Sequence, residues 1–285
     1  MKLLVCGGDA RQKYAARRLC EDGFDIEYAL TAGADDDANT FTRKILDADA
    51  VLLPLPAFRA GRLNAPDAST QIDIPAAAEF FGGAKTLIGG ILPPALLDSG
   101  RMRAVPVYDY YRDPDFTAAN AVLTAEGVLG ILIAETPRAV SSAEYLVTGY
   151  GSSARAIARL LTAAGARVTV AARRNEARSL AAAAGYSAVS FDALPALAPR
   201  FDAVINTVPV QVIGDGAIRA LPEDALLLEI ASAPFGIDFE AAARENRRVI
   251  KAPGLPGRFA AASAGRIIAR CVKKYIISQK ESGYE

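Results

Sequence analysis

Gly149-Tyr150-Gly151-Ser152-Ser153-Ala154 is the stretch of this chain whose residue types and spacing most directly suggest chemistry. It reads G-x-G-x-x-A and joins an apolar run, Tyr145 to Thr148, to a helical one, Ser152 to Ala164. Gly149 permits a tight turn, Gly151 lets the backbone approach a pyrophosphate, and Ala154 allows close helix–strand packing. The helix start at Ser152 and Ser153 offers free N–H groups and partial positive charge to phosphates. A purely structural turn would use the same residues, but the strand–turn–helix–strand setting favours a dinucleotide site. The next apolar run, Arg167 to Ala171, leads into Ala172-Arg173-Arg174-Asn175. An NAD site places a carboxylate near there to hold the ribose 2′-OH. Two guanidiniums instead suit a 2′-phosphate, through charge-assisted and often bidentate contacts. NADP is therefore the expected cofactor, with NAD as the alternative. An exposed basic helix start would show the same pair of arginines.

Two further segments end apolar runs, Asn206-Thr207-Val208-Pro209 and Ala231-Ser232-Ala233-Pro234. Ligands of open α/β sheets bind beyond the C-terminal strand ends, so Thr207, Pro209 and Ala231 are expected to line the cofactor site. Ordinary turn punctuation is the competing reading. Composition narrows the chemistry further. The chain has 285 residues, 52% hydrophobic and 22% charged, with 32 Lys+Arg against 32 Asp+Glu and no His. Lacking His removes Ser-His-Asp and Cys-His nucleophile activation and the commonest transition-metal ligand. Cys6, Cys20 and Cys271 are too few and too scattered for a zinc site or a disulfide framework, so no metal is expected. Proton transfers must use carboxylates, Lys, Tyr or water, with redox work left to a cofactor. A balanced charge argues against nucleic-acid binding. No membrane span is expected, since no apolar run is read as approaching roughly 18 residues, and Lys2 to Cys6 is too short for a signal peptide. The expected compartment is the cytosol.

The elements that must position these residues alternate as short β runs and helical runs, the pattern of parallel α/β sheets. Strands are expected at Leu3 to Cys6, Asp25 to Ala29, Ala50 to Leu53, Lys85 to Ile88 and Arg103 to Val107. Helices are expected at Ala10 to Glu21, Pro75 to Phe81 and Pro93 to Asp98, and Asp35-Asp36-Asp37 reads as a solvated loop. Asp115 to about Ala134, capped by Asp115, is the longest helix and reads as a spine between two α/β halves, with Thr124 to Gly127 as an interruption. The pattern restarts with the strand, turn and helix of the glycine motif. A helix at Asn175 to Ala184 and strands at Ala203 to Asn206, Leu226 to Ile230 and Arg248 to Lys251 follow. A last helix spans Ala261 to about Ser278. At roughly 150 residues per domain two domains are expected. The expected fold is α/β, two Rossmann-like domains with parallel sheets joined by a long helix, with a cleft between them. Residues 1–135 form a substrate domain, 136–257 the NAD(P)-binding Rossmann domain, and 258–285 a helix that packs back on the first.

Further motifs run through the chain in a set order: Gly7-Gly8-Asp9-Ala10-Arg11-Gln12, then Gly149-x-Gly151, Ile205-Asn206-Thr207-Val208-Pro209 and Ile230-Ala231-Ser232-x-Pro234-x-Gly236-x-Asp238-Phe239. Ala252-Pro253-Gly254-Leu255-Pro256-Gly257 and Ser263-Ala264-Gly265-x-Ile267 close the series. Together they resemble the family of dipicolinate synthase A subunits, which serve bacterial spore formation. Departures are Ala261 and Ser263, where the family tends to carry Pro and Thr, and Phe235, where it tends to carry Gly.

The resemblance implies an NAD(P)-dependent oxidoreductase acting on a dicarboxylate from the lysine/diaminopimelate branch. It implies oxidation of dihydrodipicolinate or hydroxy-tetrahydrodipicolinate to dipicolinate, alongside a flavoprotein-like B subunit, in the mother cell of a sporulating bacterium. A homo-oligomer stays open. Two other readings compete: a stand-alone NADP dehydrogenase of shikimate or methylene-tetrahydrofolate type, and a non-catalytic NADP-binding regulatory subunit.

Orienting a dianion needs cations, and Arg11, Arg59, Arg112 and Arg258 are the candidates, with Arg11 and Arg258 first because they lie in or beside the most distinctive motifs, and Arg59 and Arg112 reading rather as solvated surface charges. Gly8, Asp9, Arg11, Gln12 and Arg258 are thus the expected substrate contacts. Asp9 is either a helix cap or a proton carrier, and Glu126 either a general base or an exposed helix residue. Pro253 and Gly254 suit a stiff loop against the cofactor, or a plain connector.

Overall fold

The computed structural model describes residues 1–32 and 36–282. It has two compact units, Met1–Asn120 with Ala260–Glu285, and Ala121–Phe259. The division falls inside the spine helix rather than at residue 135.

In the first unit the order is β1 (Lys2–Cys6), α1 (Ala10–Glu21), β2 (Asp25–Ala29), α2 (Ala38–Asp47), β3 (Ala50–Leu52), a small hairpin of β4 (Phe58–Arg59) and β5 (Arg62–Leu63), α3 (Ile74–Phe81), β6 (Leu87–Gly89), α4 (Pro94–Leu97), β7 (Val107–Asp109) and the start of α5 (Pro114–Glu135). The five main strands pair in parallel in the order β2-β1-β3-β6-β7. Strand residues alternate between two apolar cores. Leu4, Cys6, Val51 and Leu53 face Phe41, Ile45 and Phe81. Leu3, Val5, Ala50 and Leu52 face Ala15, Leu19 and the last helix. Apolar residues on both faces are what a parallel sheet covered on both sides requires.

The second unit continues α5 and adds β8 (Glu144–Thr148), α6 (Ser152–Ala163), β9 (Arg167–Ala171), α7 (Asn175–Ala183), β10 (Ser187–Val189), α8 (Leu194–Leu197), β11 (Ala203–Asn206), α9 (Asp215–Ala220), β12 (Leu226–Glu229), α10 (Phe239–Arg244), β13 (Val249–Lys251) and α11 (Leu255–Phe259). Its sheet runs β10-β9-β8-β11-β12-β13, the strand order of a dinucleotide-binding Rossmann fold. The final helix, α12 (Ala261–Ser282), lies against α1 of the first unit. Gly265 makes that approach feasible, because a Cβ there would stand 2.5 Å from the Tyr14 Cβ and 2.7 Å from the Arg11 carbonyl oxygen.

Several expectations need correction. The strand expected at Arg103 to Val107 begins only at Val107, since Gly100–Met102 forms a 3-10 turn that Val105 N–H closes on the Met102 carbonyl. The strand expected at Lys85 to Ile88 is Leu87–Gly89. Helix α2 and the β4–β5 hairpin carry no expectation from the sequence. Asp37 is exposed in the loop as expected and caps α2 through Thr40 N–H at 2.7 Å, whereas the Asp36 side chain is buried in an ion pair with Lys44 at 2.7 Å; Asp35 lies outside the described residues. Asp113, not Asp115, caps α5, accepting from the Asp115 and Phe116 amides at 2.8 and 3.4 Å. The helix runs unbroken past Gly127, whose missing side chain admits Leu255. Finally, α5 is long and apolar enough to cross a membrane, with a mean hydropathy of 1.6 over its best window. Half of that window is buried inside the protein, as in a core helix, and this is the run the membrane expectation overlooked.

Candidate functional site

Strand order reverses between β8 and β11, and such a switch point leaves a crevice at the C-terminal strand ends. Gly149, at φ +79°, turns the chain out of β8 where a Cβ would press within 3.0 Å of both Thr207 Oγ1 and Val208 Cγ2. Gly151 is the backbone cap of α6, and a Cβ there would meet nothing within 4 Å. Among the described residues the amides of Ser152 and Ser153 have no acceptor. A glycine facing open space, beside unused amides at a helix N-terminus, fits a dinucleotide pyrophosphate. Ala154 is fully buried against the sheet, as close helix packing requires.

The carbonyls after β9 are held by Arg178, which donates to Ala172 O at 2.8 Å and Arg173 O at 2.7 Å. Arg173 and Arg174 are exposed, and among the described residues neither guanidinium has an ion-pair partner. They are available to an anion. Sequence reasoning missed Arg178, whose spacing from Arg174 matches a helix-start residue reaching back over its own loop.

The far side of the crevice rests on a buried polar network that the sequence reading also missed. Thr148 donates to Asn206 Oδ1 at 2.6 Å, and Thr207 Oγ1 donates to the Thr148 carbonyl at 2.6 Å. Asn206 Nδ2 donates to both oxygens of Glu229, at 2.7 and 2.9 Å. Glu229 is fully buried and also accepts from the amides of Ala231, Gly236 and Ile237 at 2.9, 2.8 and 3.1 Å. One carboxylate thus fixes the ends of β11 and β12 and the loop after them. The signal was a charged residue inside the apolar run Leu226 to Ile230, which must find partners to be buried. Ala231 is buried, Thr207 half-buried, and Pro209, Pro253 and Gly254 are exposed near their strand ends. Phe235 sits at φ +69°, a conformation that favours glycine, which matches the Gly of the resembling family. Its ring packs edge-on to Phe239, over which the Lys251 ammonium lies at 3.7 Å. Arg258 is exposed on α11, and Glu126 is exposed on α5.

In the first unit the sheet reverses between β1 and β3, and the Gly7-Gly8-Asp9 turn sits at that point. Asp9 caps α1 through the Arg11 amide at 3.0 Å. Its carboxylate also holds the Arg11 guanidinium, Nη2 to Oδ2 at 2.7 Å, and Arg11 reaches the Leu55 carbonyl as well. Arg11 is only 6% exposed. Gly7 and Gly8 already donate to the Ala29 and Asn64 carbonyls at 3.0 and 2.9 Å, and the buried Gln12 amide donates to Leu52 O at 3.0 Å. The Gly8 amide, the Arg11 Nε and Nη2 donors and the Gln12 Nε2 thus already have partners within the fold. Burial pushes the Asp9 carboxyl up, but the Arg11 hydrogen bonds and charge, helped by Arg59, hold it below the usual range. In the fold Asp9 serves as the cap of α1, with its carboxylate paired to Arg11. Arg59, exposed on the hairpin near Asp9, is the cation this turn leaves available, whereas Arg112 leans on Asp109 at 3.7 Å. Asp9 and Glu126 belong to different units.

A family model for the N-terminal domain of the dipicolinate synthase A subunit matches residues 2–111. One for NADP oxidoreductase, coenzyme F420-dependent, matches residues 145–232. The chain is 27% identical over 302 residues to the dipicolinate synthase A subunit of Bacillus subtilis (strain 168), covering 99% of this chain and 98% of that one. The crystal structure of the corresponding Bacillus subtilis protein superposes with a TM-score of 0.83 at 25% identity, covering 99% of this chain and 97% of that one. That of the A subunit from Bacillus halodurans gives 0.82 at 25% identity, covering 96% and 97%. A transhydrogenase from Sinorhizobium meliloti, at 14% identity and a TM-score of 0.64, covers 98% of this chain and 94% of that one and shares the fold alone. These similarities bear out the resemblance to the dipicolinate synthase A subunits, the fold class, and the reading of the chain as an NAD(P)-dependent oxidoreductase.

Proposed function

We propose that this chain is the A subunit of a dipicolinate synthase, oxidising dihydrodipicolinate to dipicolinate with NADP as the hydride acceptor. The observation that carries this is similarity along 99% of the chain to an A subunit of that name. Aromatising the dihydropyridine ring removes one hydride and one proton; hydroxy-tetrahydrodipicolinate, if it is the form taken up, must first lose water. Bound NADP supplies the hydride acceptor. The chain's own part is to bind and orient. Gly151, Ser152 and Ser153 would hold the pyrophosphate, and Arg173 with Arg174 the 2′-phosphate. Thr207, Pro209, Ala231, Pro253 and Gly254 would line the same site. Arg59 and Arg258 are both exposed, and each is a cation suited to a substrate carboxylate. With no His in the chain, the proton is left to water, Asp9 or Glu126.

A flavoprotein-like B subunit is the proposed partner, and the cytoplasm of the mother cell the proposed compartment. Calorimetric titration with NADP and NAD tests the cofactor assignment. NADP should bind more tightly, and Arg173→Ala should erode the preference by about 1.5–3 kcal/mol, the value of a charge-assisted contact. Equal binding of both nucleotides, unchanged in the variant, would overturn it.

A further inference from the structure

In the unit formed by Met1–Asn120 and Ala260–Glu285, α1 and α12 run side by side, with Gly265 against Tyr14 and Lys273 against Asp22. A groove of about 480 Å³ opens along this pair, its lining including Arg18, Asp22, Arg266, Ile267, Arg270 and Lys273. Its lining carries four cations and one carboxylate. Asp22 is already engaged twice, by Arg18 at 2.7 Å and by Lys273 at 3.4 Å. Among the described residues Arg266 and Arg270 have no carboxylate within salt-bridge range, and Arg266 touches only the Ser263 hydroxyl, at 3.5 Å.

Arg266 and Arg270 are four residues apart on one helix, where like charges destabilise by a few tenths of a kcal/mol. The next two cations on this helix are both relieved, Lys273 by Asp22 and Lys274 by Asp115 at 2.7 Å. The two arginines are not, and they face a concavity. Four residues rise about 6 Å, a separation that one small multivalent anion can bridge. Guanidiniums suit phosphate and carboxylate oxygens through paired N–H donors. The groove is open to solvent, with room for a small anion between the two arginines.

We propose that the α1–α12 groove binds a small anion bearing two or more negative charges, of phosphate or carboxylate class, held by Arg266 and Arg270 with Arg18 and Lys273 beside them. This site shares no residue with the nucleotide turn or with the substrate cations Arg59 and Arg258, so its failure would leave the proposed function standing.

The test is calorimetry on the full chain at about 0.15 M salt, with pyrophosphate as probe and NADP present in excess so that the Gly149–Gly151 turn is engaged. Pyrophosphate should bind at one site per chain and raise the melting temperature. The double variant Arg266→Ala/Arg270→Ala should bind at least tenfold more weakly, while melting as cooperatively as the parent. Arg266→Lys/Arg270→Lys, which keeps the charge, should retain binding in part. Citrate in place of pyrophosphate separates the two ligand chemistries by which binds more tightly. Absence of binding by either anion, competition by NADP, or equal binding by the double alanine variant would overturn the proposal.

Discussion

Glu229 accepts from one side-chain amide and three backbone amides while fully buried, so its loss strands several donors at once. Each stranded donor costs about 1–3 kcal/mol. Glu229→Ala should therefore destabilise the second unit by about 3 kcal/mol or more by that reckoning, read from urea denaturation; a loss below about 1 kcal/mol would show the network to be dispensable. Arg11 is the corresponding anchor in the first unit. Asp9 titrates lower folded than unfolded, so its contribution is present above the ordinary carboxylate pKa and fades as the pH falls through the folded value. Arg11→Ala should cost about 2 kcal/mol near neutrality and flatten the acid limb of the stability curve around Asp9. Dipicolinate affinity should fall with Arg59→Ala instead. At this scale the sequence showed which turns matter but not what their side chains do. Gly8, Arg11 and Gln12 stand in a distinctive motif and each has a partner within the fold, which only geometry could reveal.

Among the elements, the legible ones were those bounded by strong local signals. Helix α1 between Asp9 and Gly23, and the strand–turn–helix around Gly149, follow from caps and glycine stops that act within a few residues. Strand β7 did not, because Pro106 and the turn before it shift the register away from the apolar run Arg103 to Val107. Nor did the α5 cap, where two aspartates flank Pro114 and either could serve; Asp113 wins, also accepting from the Tyr108 hydroxyl at 2.6 Å. Two glycines separate packing from binding. Gly265 is required by the approach of α12 to α1, so Gly265→Ala should destabilise by about 1–3 kcal/mol, seen as a lower melting temperature. Gly151 faces open space at φ −80°, which alanine adopts without strain. Gly151→Ala should melt like the parent yet bind NADP at least tenfold more weakly. Calorimetry giving unchanged affinity would remove the turn from the cofactor site.

Over the whole molecule, alternating β and helical runs foretold two parallel sheets, and the two strand orders, β2-β1-β3-β6-β7 and β10-β9-β8-β11-β12-β13, each place a glycine turn at a reversal point. What the pattern could not reveal was the short hairpin of Phe58–Arg59 and Arg62–Leu63, whose two-residue strands carry no periodicity. That hairpin presents Arg59 near the Asp9 turn. The central claim, NADP-linked oxidation of dihydrodipicolinate, rests on end-to-end similarity together with an open phosphate cradle and free arginines. The most direct measurement is product stoichiometry: dihydrodipicolinate, NADP and the purified chain, with and without the B subunit from the same genome, followed for dipicolinate and NADPH together. We expect one NADPH for each dipicolinate, faster with NADP than with NAD and faster still with the partner present. Dipicolinate appearing at the same uncatalysed rate with and without the chain, and no NADPH formed even in the presence of the partner, would contradict it.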